Sequence, residues 1–247
     1  MNISFIGTVF FVSIPSKKEG TKYIYLVTAR HVAKKVDGKQ FLLRINSKDG
    51  GSGLVKGDAL KWFTHPTDSL VDVAVFPYAP PLETYDYKSV PTSMFLSDEI
   101  IQSKGIGAGD EVFITGLFAH VTGSKRNLPI VRMGNIAMMP DEVIPTDSGN
   151  IEAYLVEARS IGGLSGSPAF VRQTVAFGFG GFNLLGLMHG HWEISQNKIN
   201  DLSMEKDLYK TVNIGIAIVI PAKKILEVLN HPELVEIRRK NDEALLK

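Results

Sequence analysis

Along most of this chain, apolar residues fall in short runs closed by Gly, Pro, Asn, Asp and Ser, the spacing of β-strands and their turns. The first run covers residues 3–14 and stops at the turn-rich 15–20. The second, 23–28, is aromatic and β-branched and ends at Ala29-Arg30-His31. Residues 32–36 read as a short helical turn. Strands follow at 41–45 and 54–63, around the tip Asp49-Gly50-Gly51-Ser52-Gly53, and then at 71–78. Alternation fades between 77 and 109, where Pro77, Pro80, Pro81 and Pro91 fall, so that stretch reads as a crossover between two halves. The second half has strands at 111–117, 130–139, 151–158, 168–177, 183–189 and 212–220, with a polar tip at 122–127. Many short strands at such spacing predict a sandwich or barrel.

The pattern changes at the end. Pro221 stands where a helix's first turn tolerates its missing N–H, and Ile225, Val228 and Leu229 follow at helical spacing. A break at Asn230-His231-Pro232 precedes an amphipathic stretch over 233–246. The polar stretch 192–211 is longer than a tight hairpin needs and reads as a loop over a cleft or a surface insertion.

Composition narrows the class. With 247 residues and 44% apolar content the chain can bury a large core, as one all-β domain or two smaller ones. Its 27 basic and 26 acidic residues leave a net charge of +1, so nothing electrostatic points to nucleic acid or an anionic membrane. Cysteine is absent, so the fold rests on packing without disulfides, and a reducing, cytoplasmic setting is the expectation. The apolar run at 3–14 is too short to span a bilayer, and no small-x-small cleavage site follows it; it is read as structure.

The candidate chemistry centres on Gly162-Gly163-Leu164-Ser165-Gly166-Ser167-Pro168. A serine hydroxyl needs a base to take its proton and amide donors to hold the oxyanion it creates. The flanking glycines let the amides of Gly163 and Ser165 converge, with Leu164 between them. His31 is the candidate base. Asp72, inside an apolar run, is a carboxylate that needs a partner, and Asp68 in the polar turn before it is the rival. A plain loop serine, a surface histidine and an ordinary ion pair are the alternatives for the three. His189-x-His191 would place two imidazoles on one side of a strand, but no other His or Cys clusters with them in sequence, so no metal or other cofactor is expected.

Thr28-Ala29-Arg30-His31, Asp72-Val73-Ala74 and Gly163-Leu164-Ser165-Gly166-Ser167-Pro168, in that order, resemble the three site motifs of the trypsin/chymotrypsin-like serine peptidases. Gly7-Thr8-Val9-Phe10 resembles that family's first strand, and residues 213–221 resemble the last strand of the high-temperature-requirement peptidases. The resemblance touches 7–12, 28–31, 71–75, 109–117, 162–170 and 183–225. It implies an all-β fold of two six-stranded antiparallel Greek-key barrels with a C-terminal helix. The first barrel, 1–104, would carry His31 and Asp72; the second, 105–220, would carry Ser165; a helical segment, 221–247, would follow.

The implied activity is that of a cofactor-free serine endopeptidase acting on a protein or peptide. Ser165 would attack, His31 relay the proton, Asp72 orient it, and Gly163, Leu164 and Ser165 form the oxyanion loop. Arg159 and His189 would line the specificity pocket and favour an acidic residue before the cut. Leu164 stands where animal members have an aspartate that pairs with a new amino terminus, so activation by that route is expected to be absent. The competing expectations are a weakened or partner-activated domain serving as a binding module, and an adaptor. An α/β-hydrolase esterase is excluded, because that fold orders serine before the acid and histidine.

Overall fold

In the computed structural model, residues 4–57, 61–146, 149–158, 163–174, 181–195 and 211–246 are described. The fold is mostly β, with one closed six-stranded barrel and a helical C-terminal segment.

The first half is built on β1 (Phe10–Pro15) and β2 (Lys22–Thr28), an antiparallel hairpin whose turn falls where the 15–20 turn was expected. β1 is shorter at its start than the 3–14 run suggests. Period-2 alternation splits the hairpin's two faces. Phe10, Val12, Tyr25 and Val27 enter one apolar cluster, while Phe11, Ile24 and Leu26 enter another. Then come the short helix α1 (Arg30–Val36), the hairpin β3 (Leu42–Asn46) and β4 (Ser52–Lys56), and the strands β5 (Phe63–Thr64), β6 (Ala74–Pro77) and β7 (Ser89–Pro91). The sheet order is β5-β6-β2-β1-β7, with β7 parallel to β1.

No second closed six-stranded barrel is seen among the described residues. The β3–β4 hairpin forms its own two-stranded sheet and packs over the larger one through Leu43, Ile45 and Val55. The end of β3 is bonded to the segment ahead of β7 through the isolated bridge Ser47↔Tyr85. The edge of β1 is taken by β7, a three-residue strand carrying Pro91, which has no N–H to extend a ladder.

The predicted crossover also holds more than a linker. After a 3₁₀ turn at Thr92–Met94 comes α2 (Asp98–Lys104). Ser97 accepts a bond from the Ile100 amide at its start, Asp98 and Glu99 sit in its first turn, and Gly105 closes it at φ 63°.

The barrel comprises β8 (Glu111–Leu117), β9 (Pro129–Met138), β12 (Tyr154–Glu157), β13 (Pro168–Arg172), β14 (Asn183–Ser195) and β15 (Thr211–Pro221). A small hairpin, β10 (Ile144–Thr146) with β11 (Gly149–Ile151), stands outside it. The ring runs β12-β15-β14-β13-β8-β9, antiparallel at every seam, so no strand of it is left as an edge along its whole length. Val112, Ile114, Val156, Ala169, Val171, Leu185 and Val219 fill its interior at 1% exposure or less. β14 reaches Ser195, several residues further than the expected strand.

Two helices, α3 (Ala222–Leu229) and α4 (Pro232–Leu245), close the chain as expected. They do not serve the barrel alone. Ile225, Val228, Leu229 and Leu234 complete the cluster begun by Phe10, Val12, Tyr25 and Val27 of the sheet. Asp242 accepts hydrogen bonds from the Ser16 and Tyr23 hydroxyls, and Arg238 donates to the Tyr25 hydroxyl and the Leu229 carbonyl. No helix among the described residues is long and apolar enough to cross a membrane.

Candidate active site

His31 sits in the first turn of α1, where backbone amides lack an intrahelical acceptor. Ala29, at the cap, has no side chain to offer, and no acidic residue lies in that turn. The missing acceptor comes from 41 positions away. The His31 amide donates to Asp72 Oδ1 at 2.8 Å, and its Nδ1 lies 2.7 Å from Asp72 Oδ2. A carboxylate only accepts, so Nδ1 carries the proton and Nε2 keeps a lone pair facing away from Asp72.

Asp72 lies just ahead of β6, between the buried Val71 and Val73. Burial alone pushes its carboxyl up, but hydrogen bonds from His189 and His31 outweigh that and hold it down at about 2. The rival Asp68 is turned onto its own backbone, accepting from the Leu70 amide.

Ser165 lies on a turn between Gly163 at φ +102° and Gly166 at φ +85°. Both conformations favour glycine. Gly166 also has no room for a side chain: a Cβ there would lie 2.3 Å from both the Thr28 hydroxyl and the Thr8 carbonyl. The turn is held from both sides. Thr8 donates its amide to the Ser165 carbonyl at 2.9 Å and its hydroxyl to the Gly163 carbonyl at 3.0 Å. On the barrel side, Gly166 N bonds Met188 O and Met188 N bonds Ser167 O, each at 2.8 Å. Leu164 is buried in the barrel core at 1% exposure. No hydrogen bond from the amides of Gly163 and Ser165 to another described residue is seen.

The Ser165 hydroxyl donates to the carbonyl of His189 at 3.2 Å, and no hydrogen bond joins it to His31 among the described residues. His189, expected on a pocket wall, places Nδ1 2.5 Å from Asp72 Oδ2. The two imidazoles meet edge to face, with centroids 5.6 Å apart. Arg159 lies outside the described residues. The roles of Thr8 and His189 beside these groups were not foreseen from sequence; the Gly-Thr of the first strand was the only visible signal.

His31, Asp72 and His189 also form a group of potential metal ligands, their nearest donor atoms all within 4.8 Å of one another. Two donors on one zinc at roughly 2.0–2.1 Å stand about 3.3 Å apart in tetrahedral geometry. The observed 2.5 and 2.7 Å are hydrogen-bond lengths. A metal would have to open both contacts.

No family model matches the chain, and no curated protein matches it. Among solved structures the chain is similar to the crystal structure of the MamO protease domain from Magnetospirillum magneticum in its apo form. The identity is 14% and the TM-score 0.45, over 88% of this chain and 93% of that one.

Proposed function

We propose that the protein is a trypsin-like serine endopeptidase that uses Ser165, His31 and Asp72 through an acyl-enzyme. The observation that carries this reading is the two-point grip of Asp72 on His31, at the backbone amide and at Nδ1. That grip leaves Nε2 as the base, on the side where a nucleophile is needed. Ser165 turns from the His189 carbonyl toward Nε2 and attacks a peptide carbonyl as its proton passes to His31. The resulting oxyanion is held by the Gly163 and Ser165 amides, and His31 returns the proton to the leaving amine. Water then releases the acyl group by the same steps.

Leu164, buried in the barrel core, has no charge to pair with a new amino terminus, so turn order rests on Thr8 and the glycines. Arg159 is proposed to favour an acidic residue before the cut, which peptides with Glu against Leu or Lys at that position will test. A fluorophosphonate probe should label the wild type at Ser165 and leave Ser165→Ala unlabelled, with casein cleavage lost by about 10⁴-fold or more. Unlabelled wild type would sink the reading.

The resting hydrogen bond of Ser165 to a carbonyl favours a second reading, a domain whose activity is weak until a partner or substrate turns the serine. Labelling that appears only when peptide or a partner protein is added separates the two.

A further inference from the structure

His65 belongs to none of the three site motifs, yet both nitrogens of its ring are in use. It directly follows β5, and its side chain is only 12% exposed. Nδ1 stands 2.9 Å from the Asp68 amide nitrogen and 3.4 Å from that of Thr67, while Nε2 stands 2.8 Å from Glu227 Oε2 on α3. An amide only donates and a carboxylate only accepts, so Nδ1 keeps a lone pair and Nε2 carries the proton. The neutral ring thus clips α3 to the turn that runs through the buried Val71 into Asp72. Other charges stand round the clip. Lys224 lies 3.2 Å from Glu227 and 3.4 Å from Glu152, and Lys223 also pairs with Glu152. The Asp68 carboxylate accepts from the Leu70 amide, and Arg30 of α1 donates to the Ser69 carbonyl. Just upstream, Lys61 pairs with Glu233 and Phe63 packs on His231.

A second proton acts on the two sides of the ring in opposite senses. The bond to Glu227 becomes one between two charges and strengthens. Nδ1 turns from acceptor to donor and faces amides that also donate, so the contact with Asp68 is lost. The turn has room to move. Asp68, Leu70 and Val71 line a cavity of about 150 Å³ together with Glu152 and Lys224, polar and large enough for water to take up the freed amides.

We propose that His65 is a proton-operated latch: neutral, it holds the lead-in to Asp72 against α3, and protonated, it keeps α3 and lets the turn go. This deepens the peptidase reading and rests on it for the effect on Ser165, while the release of the turn can be measured without any turnover. In mildly acid solution the carboxylate that grips His31 then stands on a loosened support.

The test is NMR of the full ¹⁵N-labelled chain, titrated from about pH 8 to about pH 5, the range in which imidazoles change charge. At the alkaline end His65 should show a lone pair on Nδ1 and a proton on Nε2. As the ring takes its second proton, the Asp68 amide should shift with the same midpoint. Its hydrogen-exchange protection, taken against the unstructured rate at each pH, should fall roughly fivefold, the factor carried by one ordinary hydrogen bond. In His65→Gln, whose side chain can donate to Glu227 and accept from Asp68 without titrating, that amide should not respond. A proton on Nδ1 at the alkaline end, or an Asp68 amide that ignores the His65 midpoint, overturns the proposal. Should His65→Gln fail to fold, the wild-type titration decides alone.

With a fluorophosphonate probe, wild type and His65→Gln should label at equal rates at the alkaline end, and the wild type should fall roughly fivefold behind at the acid end. Equal rates at both ends would overturn the latch's hold on the site. An Asp68 amide that follows His65 in a protein never labelled at Ser165 would support the latch and overturn the peptidase reading, so the two failures are distinct.

Discussion

The two halves of the molecule reach order by different means. The barrel closes on itself through six antiparallel seams and fills its own interior. The N-terminal sheet stays open, ends on short strands, and borrows Ile225, Val228 and Leu229 from α3 for its core. Each half holds part of the candidate site. The closed half sets the Ser165 turn just ahead of β13 and His189 on β14, while the open half sets His31 and Asp72 on α1 and the lead-in to β6. Ser165 thus stands on the self-sufficient half, and His31 and Asp72 on the half that depends on its neighbour. At the site they are tied by contacts of Thr8, Gly166 and His189, and away from it by a shared apolar cluster and by hydrogen bonds from Arg44, Asn46 and Ser52 to the 123–127 loop.

The sharpest break in that comparison is at the seam. Gly166→Ala forces a φ of +85° on alanine and drives a Cβ to within 2.3 Å of two oxygens. A loss of roughly 4 kcal/mol or more is expected in urea unfolding. A loss below 1 kcal/mol would mean that the two halves are not locked there.

Next in size is Leu229→Ala, fully buried in the cluster that α3 shares with the sheet. It should cost about 2–5 kcal/mol, and hydrogen exchange should quicken in β1 and β2 before β8 and β13. Equal acceleration in both halves would erase the distinction drawn above.

The acid limb follows. Asp72 lies at about 2 in the folded protein, against about 3.9 for an unperturbed Asp. The folded state therefore binds that proton less readily than the unfolded one. Its contribution, roughly 2 kcal/mol, is complete above about pH 4 and is lost as the pH falls toward 2. The stability difference between wild type and Asp72→Asn should be flat above pH 5 and shrink below 4, read from urea midpoints.

The smallest effect expected is Thr8→Val, which keeps the shape and removes the donor to the Gly163 carbonyl. About 1 kcal/mol of stability should go, with slower phosphonylation of Ser165 by a fluorophosphonate probe and unchanged His31 resonances. Disturbed His31 lines would show that Thr8 serves both halves rather than the turn alone.

Much of this organisation could be read in the chain because it is local. Period-2 alternation marked the strands, and the glycines around Ser165 stand where positive φ demands them. That Asp72, a carboxylate inside an apolar run, needs a donor was legible in the chain; that the donor is His31 was implied by the resemblance of the motifs. Other features depend on distant partners. The independence of the β3–β4 hairpin follows from β7 occupying the edge of β1, which alternation within either segment does not encode. The turn of His189 onto Asp72 follows from a bulge set by its register against β15. α2 is a different matter, for Ser97, Asp98, Glu99 and Gly105 carry its start and stop signals, masked by the surrounding prolines.

The bond between Ser16 and Asp242 spans 226 positions of chain. During synthesis the opening hairpin emerges from the ribosome long before the helices that seal its apolar face exist. It must wait, exposed, while the barrel that follows assembles. Contacts of such separation slow folding, and an unsealed strand pair invites mispairing. The half bearing His31 and Asp72 can therefore complete its apolar cluster only once α3 and α4 have been made.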